Sequence, residues 1–166
     1  MKKIEAKEFL CNPFTMIGDE WLLLTAGDRS GIGTMTASWG GLGVLWMKNV
    51  ATVYLRPQRH TKVFFDKHDI FTISVLAPEF KKAHDVCGRQ SGRDVDKIAL
   101  TGLRPLYLEG YENAVTFEQA KTALVCKKIY RDTIKPEFFI DPSIDQNYPG
   151  KDYHYFYIGE ILEVWG

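Results

Sequence analysis

The segment Arg56-Pro57-Gln58-Arg59-His60-Thr61 gathers two guanidiniums, an imidazole and a hydroxyl around one proline turn. Arginine presents planar, paired donors that match phosphate oxygens, and each such charge-assisted bond is worth about 1.5–3 kcal/mol. If a helix begins at Thr61, its hydroxyl and backbone amides add donors for the same anion. A second run, Ser91-Gly92-Arg93 followed by Lys97, repeats the grammar of hydroxyl, glycine and cation. Each run also has a plainer reading. The first is a solvated turn that happens to hold two arginines, and in the second Asp94 and Asp96 neutralise the cations in a surface ion-pair cluster. Upstream, Thr36-Ala37-Ser38-Trp39-Gly40 offers small side chains and free backbone groups that a flat ring can approach, with Trp39 as a wall or as core. The order suggests the two ends of one nucleotide-like ligand.

Other chemistries lack their residues. The four histidines, His60, His68, His84 and His154, are scattered, with no His-x-x-x-His or Cys-x-x-Cys pair, so no metal site is expected. No Gly-x-Ser-x-Gly elbow, no phosphate loop ending in Gly-Lys-Ser/Thr and no dinucleotide fingerprint occurs. Twenty-one basic residues balance 21 acidic ones, which argues against a nucleic-acid or anionic-membrane partner. The longest apolar runs fall far short of the roughly 20 residues a membrane helix needs, and the charged start is followed by no signal-peptide core. The three cysteines, Cys11, Cys87 and Cys126, are an odd, unpaired set that fits a reducing cytoplasm. Cys87 alone has cations near it in sequence, as a candidate thiol or as an apolar filler. Lacking a strong nucleophile or metal of its own, a chain like this performs redox chemistry through a borrowed cofactor.

The elements that must position these groups read mostly as strands. At 166 residues, 45% hydrophobic and 25% charged, the chain suits a single domain over 1–166. Glu20–Ala26, a tight turn at Gly27–Gly31 and Ile32–Ser38 form a hairpin, after which Gly40, Gly41 and Gly43 suggest a permissive loop. Val50–Leu55 is a strand ended by Arg56-Pro57, Thr61–Lys67 a short helix with Thr61 as its cap, and Ile70–Leu76 another strand. A helical stretch follows Pro78 and stops near Gly88; Arg89–Asp96 is a loop. Phe117–Tyr130 fits either a helix or a strand, Pro136–Pro149 is an ordered surface loop, and Tyr153–Val164 is a long closing strand. Many strands with few helices point to a barrel of mainly antiparallel strands.

The order Thr36-Ala37-Ser38, Val50–Leu55, the Arg56–Thr61 turn and Phe71–Leu76 resembles the flavin reductase-like, FMN-binding split barrels. The tail His154-Tyr155-Phe156-Tyr157-Ile158-Gly159-Glu160-Ile161 resembles that family's closing strand, and Cys87–Lys97 the loop of a flavoredoxin-like bacterial branch. The similarity spans roughly Pro13 to Val164. It implies a mainly β fold, a six-stranded antiparallel split barrel with a few short helices, forming a homodimer with FMN near the subunit interface. Thr36, Ala37, Ser38 and Trp39 would then line the isoalloxazine. Arg56, Arg59 and Thr61 would hold the ribityl and phosphate end, completed by Ser91, Gly92, Arg93 and Lys97. His154 would stand at the reactive face, to orient a nicotinamide or an acceptor, or as a hydrogen-bonded structural residue. The resemblance implies an oxidoreductase that takes hydride from NADH or NADPH and passes electrons to free flavin or another small acceptor. Two alternatives stand beside it: an electron carrier with bound FMN served by a redox partner protein, and a non-redox barrel for another phosphorylated ligand. The Arg-Pro-Gln-Arg-His-Thr turn departs from the serine-rich turn of two-component reductases and favours a tightly held flavin, and the Asp141–Asp152 segment has no family counterpart, so Tyr148 and Tyr153 either cover the flavin or merely pack.

Overall fold

In the computed structural model, which describes residues 1–166, Gly27 at φ 138° sits in the strand just ahead of the first hairpin's Arg29-Ser30 turn, paired with Ile32. A Cβ there would meet the Gly31 carbonyl oxygen at 2.3 Å, so only glycine lets β2 (Leu22–Asp28) fold straight back into β3 (Gly31–Ala37). The chain before them contributes β1 (Lys3–Ile4), α1 (Pro13–Thr15) and a π-helical turn, Met16–Glu20. After β3 come β4 (Gly40–Leu45), β5 (Lys48–Leu55), α2 (Thr61–Lys67), β6 (Ile70–Leu76), a 3-10 turn at Pro78–Phe80, α3 (Ala83–Arg89) and α4 (Lys97–Thr101). The short pair β7 (Pro105–Tyr107) and β8 (Val115–Phe117) precedes β9 (Ala120–Thr133). Two further 3-10 turns, Pro136–Phe138 and Pro142–Asn147, lead into β10 (Tyr155–Trp165).

Every ladder is antiparallel, and the main sheet runs β3-β2-β6-β9-β10-β5-β4, with β1 on β10. The six strands from β3 round to β5 curl into the barrel. No ladder joins β3 to β5, so the barrel is split along that seam. The interior packs Leu22, Leu24, Met35, Val53, Phe65, Phe71, Ile73 and Tyr157. Leu23, facing the other way, joins Leu76, Cys87, Leu103 and Phe117 under α3, α4 and β8. Strand β2 is therefore buried on both faces, the physical reason for its unbroken apolar run.

The expected hairpin, the strand at 50–55 and the helix at 61–67 are present as read. The glycine segment after Trp39 is instead an edge strand, β4, because β5 is a strong enough partner to pair with it from Gly40 to Leu45. The Phe117–Tyr130 ambiguity resolves as strand: β9 is pinned by β6 on one side and β10 on the other, so tertiary pairing overrides helix propensity. The helical stretch after Pro78 is a 3-10 turn and then α3, which runs past Gly88 to Arg89. Sequence reading missed α4, whose cap is Asp96: its carboxylate accepts from the Ile98 and Ala99 amides. Thr61 is the first helical residue of α2, with His60 at the cap position.

Candidate functional site

Strand β3 passes through two cavities in succession. Its first half, Ile32–Thr34, walls a polar cavity of about 440 Å3 whose other sides are His60 and Thr61 from the start of α2 and the Gly92–Ile98 segment. The Met35–Trp39 stretch, running past the end of β3, lines a cleft of about 210 Å3 at the split in the barrel, facing Tyr54, Arg56, Arg59 and His154. The barrel seam thus leaves one strand's backbone edge open to both, as an extended ligand requires.

In the polar cavity Lys97 is buried, its ammonium donating to the carbonyls of Thr34 (2.9 Å) and Cys87 (3.0 Å). Burial, with Arg59 nearby, lowers its pKa to about 8. Asp96 is spent on capping α4, and neither it nor Asp94 forms an ion pair, so the cationic cluster is not cancelled as the surface ion-pair reading would have it. Arg93 reaches the Gln58 carbonyl at 3.0 Å, tying the second polar loop to the first, and the Ser91 hydroxyl accepts from the Arg93 amide at 3.2 Å. Gly92 lies against the His60 ring, whose Cδ2 a Cβ would meet at 3.1 Å. The Nδ1 atom of that ring is buried without a hydrogen-bond partner, and burial followed by the Arg93 and Lys97 charges holds its pKa below the usual histidine range. A neutral imidazole nitrogen, a buried ammonium, a guanidinium and the Thr61 hydroxyl around one cavity fit an oxygen-rich anion such as a phosphate monoester.

The two arginines of the first loop are placed differently from the sequence expectation of two open phosphate donors. Arg56 Nη1 contacts both carboxylate oxygens of Asp152 at 2.6 Å, Nη2 donates to the Asn147 carbonyl at 2.9 Å, and the guanidinium lies 5.1 Å from the Tyr148 ring centre. Gln58 grips the same carboxylate at 2.6 Å. Arg59 donates to the carbonyls of Gly88 (2.5 Å) and Cys87 (3.2 Å), closing the C-terminal end of α3. The reason lies in the segment that had no assignment: 141–152 folds back and supplies Arg56 with an internal partner. Tyr148 is buried there, against Phe139, Tyr153 and His154.

His154 is enclosed on the seam. Its ring lies 5.1 Å from Trp39 and 6.3 Å from Tyr54 between centres, and Nδ1 is 3.0 Å from the Tyr148 hydroxyl. Burial, reinforced by Arg56, lowers its pKa to about 4, so it is neutral at physiological pH. Trp39 is 45% exposed and forms a wall rather than core. Ala37 is buried, Ser38 is exposed, and Thr36 turns its hydroxyl toward α3, donating to the His84 carbonyl at 2.8 Å. The Cys87 thiol is not a reactive centre: burial raises its pKa despite Lys97 and Arg59, and its carbonyl is what those cations hold. The sequence counts the His60 imidazole among the donors of the first loop without giving it a role, and it singles out neither Tyr54, Asp152 nor His84. Only His60 carried a signal, its place between Arg59 and Thr61. No three of the His, Cys, Asp and Glu side chains gather as metal ligands, and no helix is long and apolar enough to cross a membrane.

Residues 18–166 match the family described as flavin reductase like domain. Among solved structures, the flavoredoxin of Desulfovibrio vulgaris (Miyazaki F) is 24% identical, with 99% of this chain and 76% of that one covered at a TM-score of 0.67. An FMN-binding domain of flavin reductase-like enzyme from Shewanella baltica is 19% identical, covering 99% and 75% at 0.69. An NADH:FAD oxidoreductase of Streptomyces globisporus is 16% identical, covering 88% and 74% at 0.63. At these identities the likeness is one of fold, and that fold is the split barrel. No curated protein matches the chain in sequence.

Proposed function

The chain belongs to the flavin reductase-like domain family, and from that premise we propose that it is an FMN-dependent oxidoreductase, drawing on NADH or NADPH and passing electrons to free flavin or another small acceptor. The observation that carries the reading is the course of β3, which leads from a polar cavity holding Lys97 and Arg93 beside Asp94 and Asp96, with neither carboxylate in an ion pair, into an aromatic cleft at the seam. Lys97, Arg93, Thr61 and His60 would hold the phosphate, with Ser91 and Gly92 shaping the loop around it. The strand Thr36-Ala37-Ser38 would present its edge to the ring, and Trp39 would wall it. Bound FMN supplies hydride acceptance at its N5 position and electron release to the acceptor. The protein's own part is placement. Arg59 keeps α3 and its Cys87 carbonyl against Lys97, Arg56 holds the 141–152 segment over the seam, and neutral His154, oriented by Tyr148, offers a hydrogen bond without a charge. We further place the protein in the cytoplasm, as a homodimer with the site near the subunit interface.

The test is spectroscopic. The purified protein should carry or take up FMN, and anaerobic NADH or NADPH should bleach the flavin absorbance within seconds. A protein that ignores FMN in solution refutes the proposal. One observation favours a second reading: His154 is enclosed by Trp39, Tyr54 and Tyr148, which leaves little room for a nicotinamide beside it. In that reading the chain is a flavoredoxin-like carrier, and the flavin is reduced only through a redox partner protein.

A further inference from the structure

On the far side of Trp39 lies a third cavity, of about 640 Å3, sharing Ser38, Trp39 and Tyr54 with the cleft at the seam. None of its 14 lining residues carries a charge. Phe14, Ile17, Leu42, Ile134 and Ile144 supply its apolar lining. Arg56, whose guanidinium lies against the Tyr148 ring that lines the cavity, is already neutralised by Asp152. At the shared end stand the hydroxyls of Ser38 and Tyr54, neither of which is hydrogen-bonded within the chain; elsewhere in the lining the Asn147 amide nitrogen donates to the Ile144 carbonyl and the Tyr148 hydroxyl is engaged with His154. A pocket of this size and lining takes a ring-bearing molecule whose carbonyl oxygen can accept from a hydroxyl. It offers a phosphate or carboxylate no cation, so an anion moved there leaves water for no counter-charge. The nicotinamide dinucleotides and free FMN, all of them phosphate-bearing, are therefore poor occupants.

We propose that this cavity is the acceptor subsite and that its occupant is an uncharged aromatic carbonyl compound of the quinone class. The inference rests on the oxidoreductase reading above and deepens it: with NAD(P)H as reductant, NAD(P)H + H+ + quinone gives NAD(P)+ + hydroquinone. The nicotinamide loses a hydride, the quinone gains that hydride and one proton, and both of its C=O groups become C–OH. Trp39, common to both cavities, would have to swing aside for the acceptor ring to come within hydride-transfer contact of the flavin.

The experiment titrates the full-length protein, with and without FMN, against 2-(hydroxymethyl)anthraquinone and anthraquinone-2-sulfonate, using calorimetry. The two probes share one ring system and differ in charge, and the fused ring has no site to which the exposed Cys11 thiol can add. The neutral probe should bind saturably and the sulfonate roughly tenfold or more weakly, the cost of an unpaired anion. Ile144, 43% exposed, tolerates replacement, and Ile144→Lys should reverse the order by giving the sulfonate a partner. Ile134→Lys repeats the test from a second lining position. Equal affinity for the two probes, or a preference unmoved by both variants, overturns the proposal. So does a binding capacity that falls as the protein is concentrated, because a second copy of the chain would then be the occupant. Charge-selective binding in a protein whose flavin NAD(P)H does not reduce supports the subsite and refutes the nicotinamide reading. A flavin that bleaches with NAD(P)H while no neutral ring binds refutes the subsite alone.

Discussion

Replacing Lys97 with methionine should separate what this residue does for a ligand from what it does for the fold. Its pKa falls from 10.5 to about 8 on folding, and at 1.36 kcal/mol per unit the buried charge costs the folded state about 3 kcal/mol below pH 8. Methionine removes that cost. It also leaves the Thr34 carbonyl without its donor, a loss of about 1–3 kcal/mol, while the Cys87 carbonyl keeps Arg59. The balance near neutral pH is a variant as stable as the parent or more so by about 1 kcal/mol, a rise of roughly 2–4 °C in Tm. FMN affinity should fall by about 10- to 150-fold, the loss of one charge-assisted bond to phosphate. The pH dependence fixes the sign. Between about pH 8 and 10.5 the unfolded chain holds a proton on Lys97 that the folded chain has released, so stability rises with pH across that window. The buried thiols of Cys87 and Cys126 act oppositely above pH 9; Cys126 cancels in the difference between the two denaturation curves, whereas Cys87, whose pKa the Lys97 charge pulls down, is raised further in the variant and adds to that difference. That difference should climb by about 3 kcal/mol from pH 8 to 10.5. A Lys97→Met protein destabilised by more than about 2 kcal/mol with unchanged FMN affinity would show that the ammonium serves the fold alone.

Three other perturbations follow from the same geometry. Arg59→Ala uncaps the Gly88 carbonyl at the end of α3 and leaves the Cys87 carbonyl to Lys97 alone, so it should lower Tm by roughly 4–8 °C, about 2 kcal/mol, besides weakening FMN; an unchanged Tm in a thermal melt would refute the tether. Gly159→Ala puts a methyl 2.6 Å from the Phe71 ring at the β10 bulge, and chemical denaturation should show a loss of about 1–3 kcal/mol. His84 and His154 both fall from 6.5 to about 4 on folding, so the unfolded chain takes up to two more protons as pH drops from 6.5 to 4. Stability should be lost across that window at up to about 3 kcal/mol per histidine, and His154→Gln should remove that share of the acid dependence measured by urea titration.

The sequence reading reached the barrel because its strands advertise themselves. Val50–Leu55 and Ile70–Leu76 are β-branched and aromatic, and the hairpin turn needs the glycine it has. It stumbled where pairing, not propensity, decides: β4 is glycine-rich and β9 helix-compatible, yet each is fixed by a neighbour remote in sequence. At the site, residue types were legible and allegiances were not. Arg56 and Lys97 are both cations in promising loops, but only the folded chain shows that Asp152, 96 residues away, claims the first. The second is left with carbonyls for company. A chain without its fold shows which groups can bind an anion, and long-range partners determine which remain free to do so.

The turn between β4 and β5 leads in another direction. Its two central residues, Trp46 and Met47, sit at φ 50° and 60°, the left-handed geometry of a tight hairpin in which asparagine and glycine are at ease. Bulky side chains there carry strain of about 1 kcal/mol or more each, and Met47 is 99% exposed, open to any oxidant in the buffer. For anyone wishing to use this barrel as a biosensor or immobilised catalyst, the hairpin is the first place to engineer. Exchanging both residues for Asn-Gly should harden the scaffold against heat and peroxide, at a point that lines none of the three cavities.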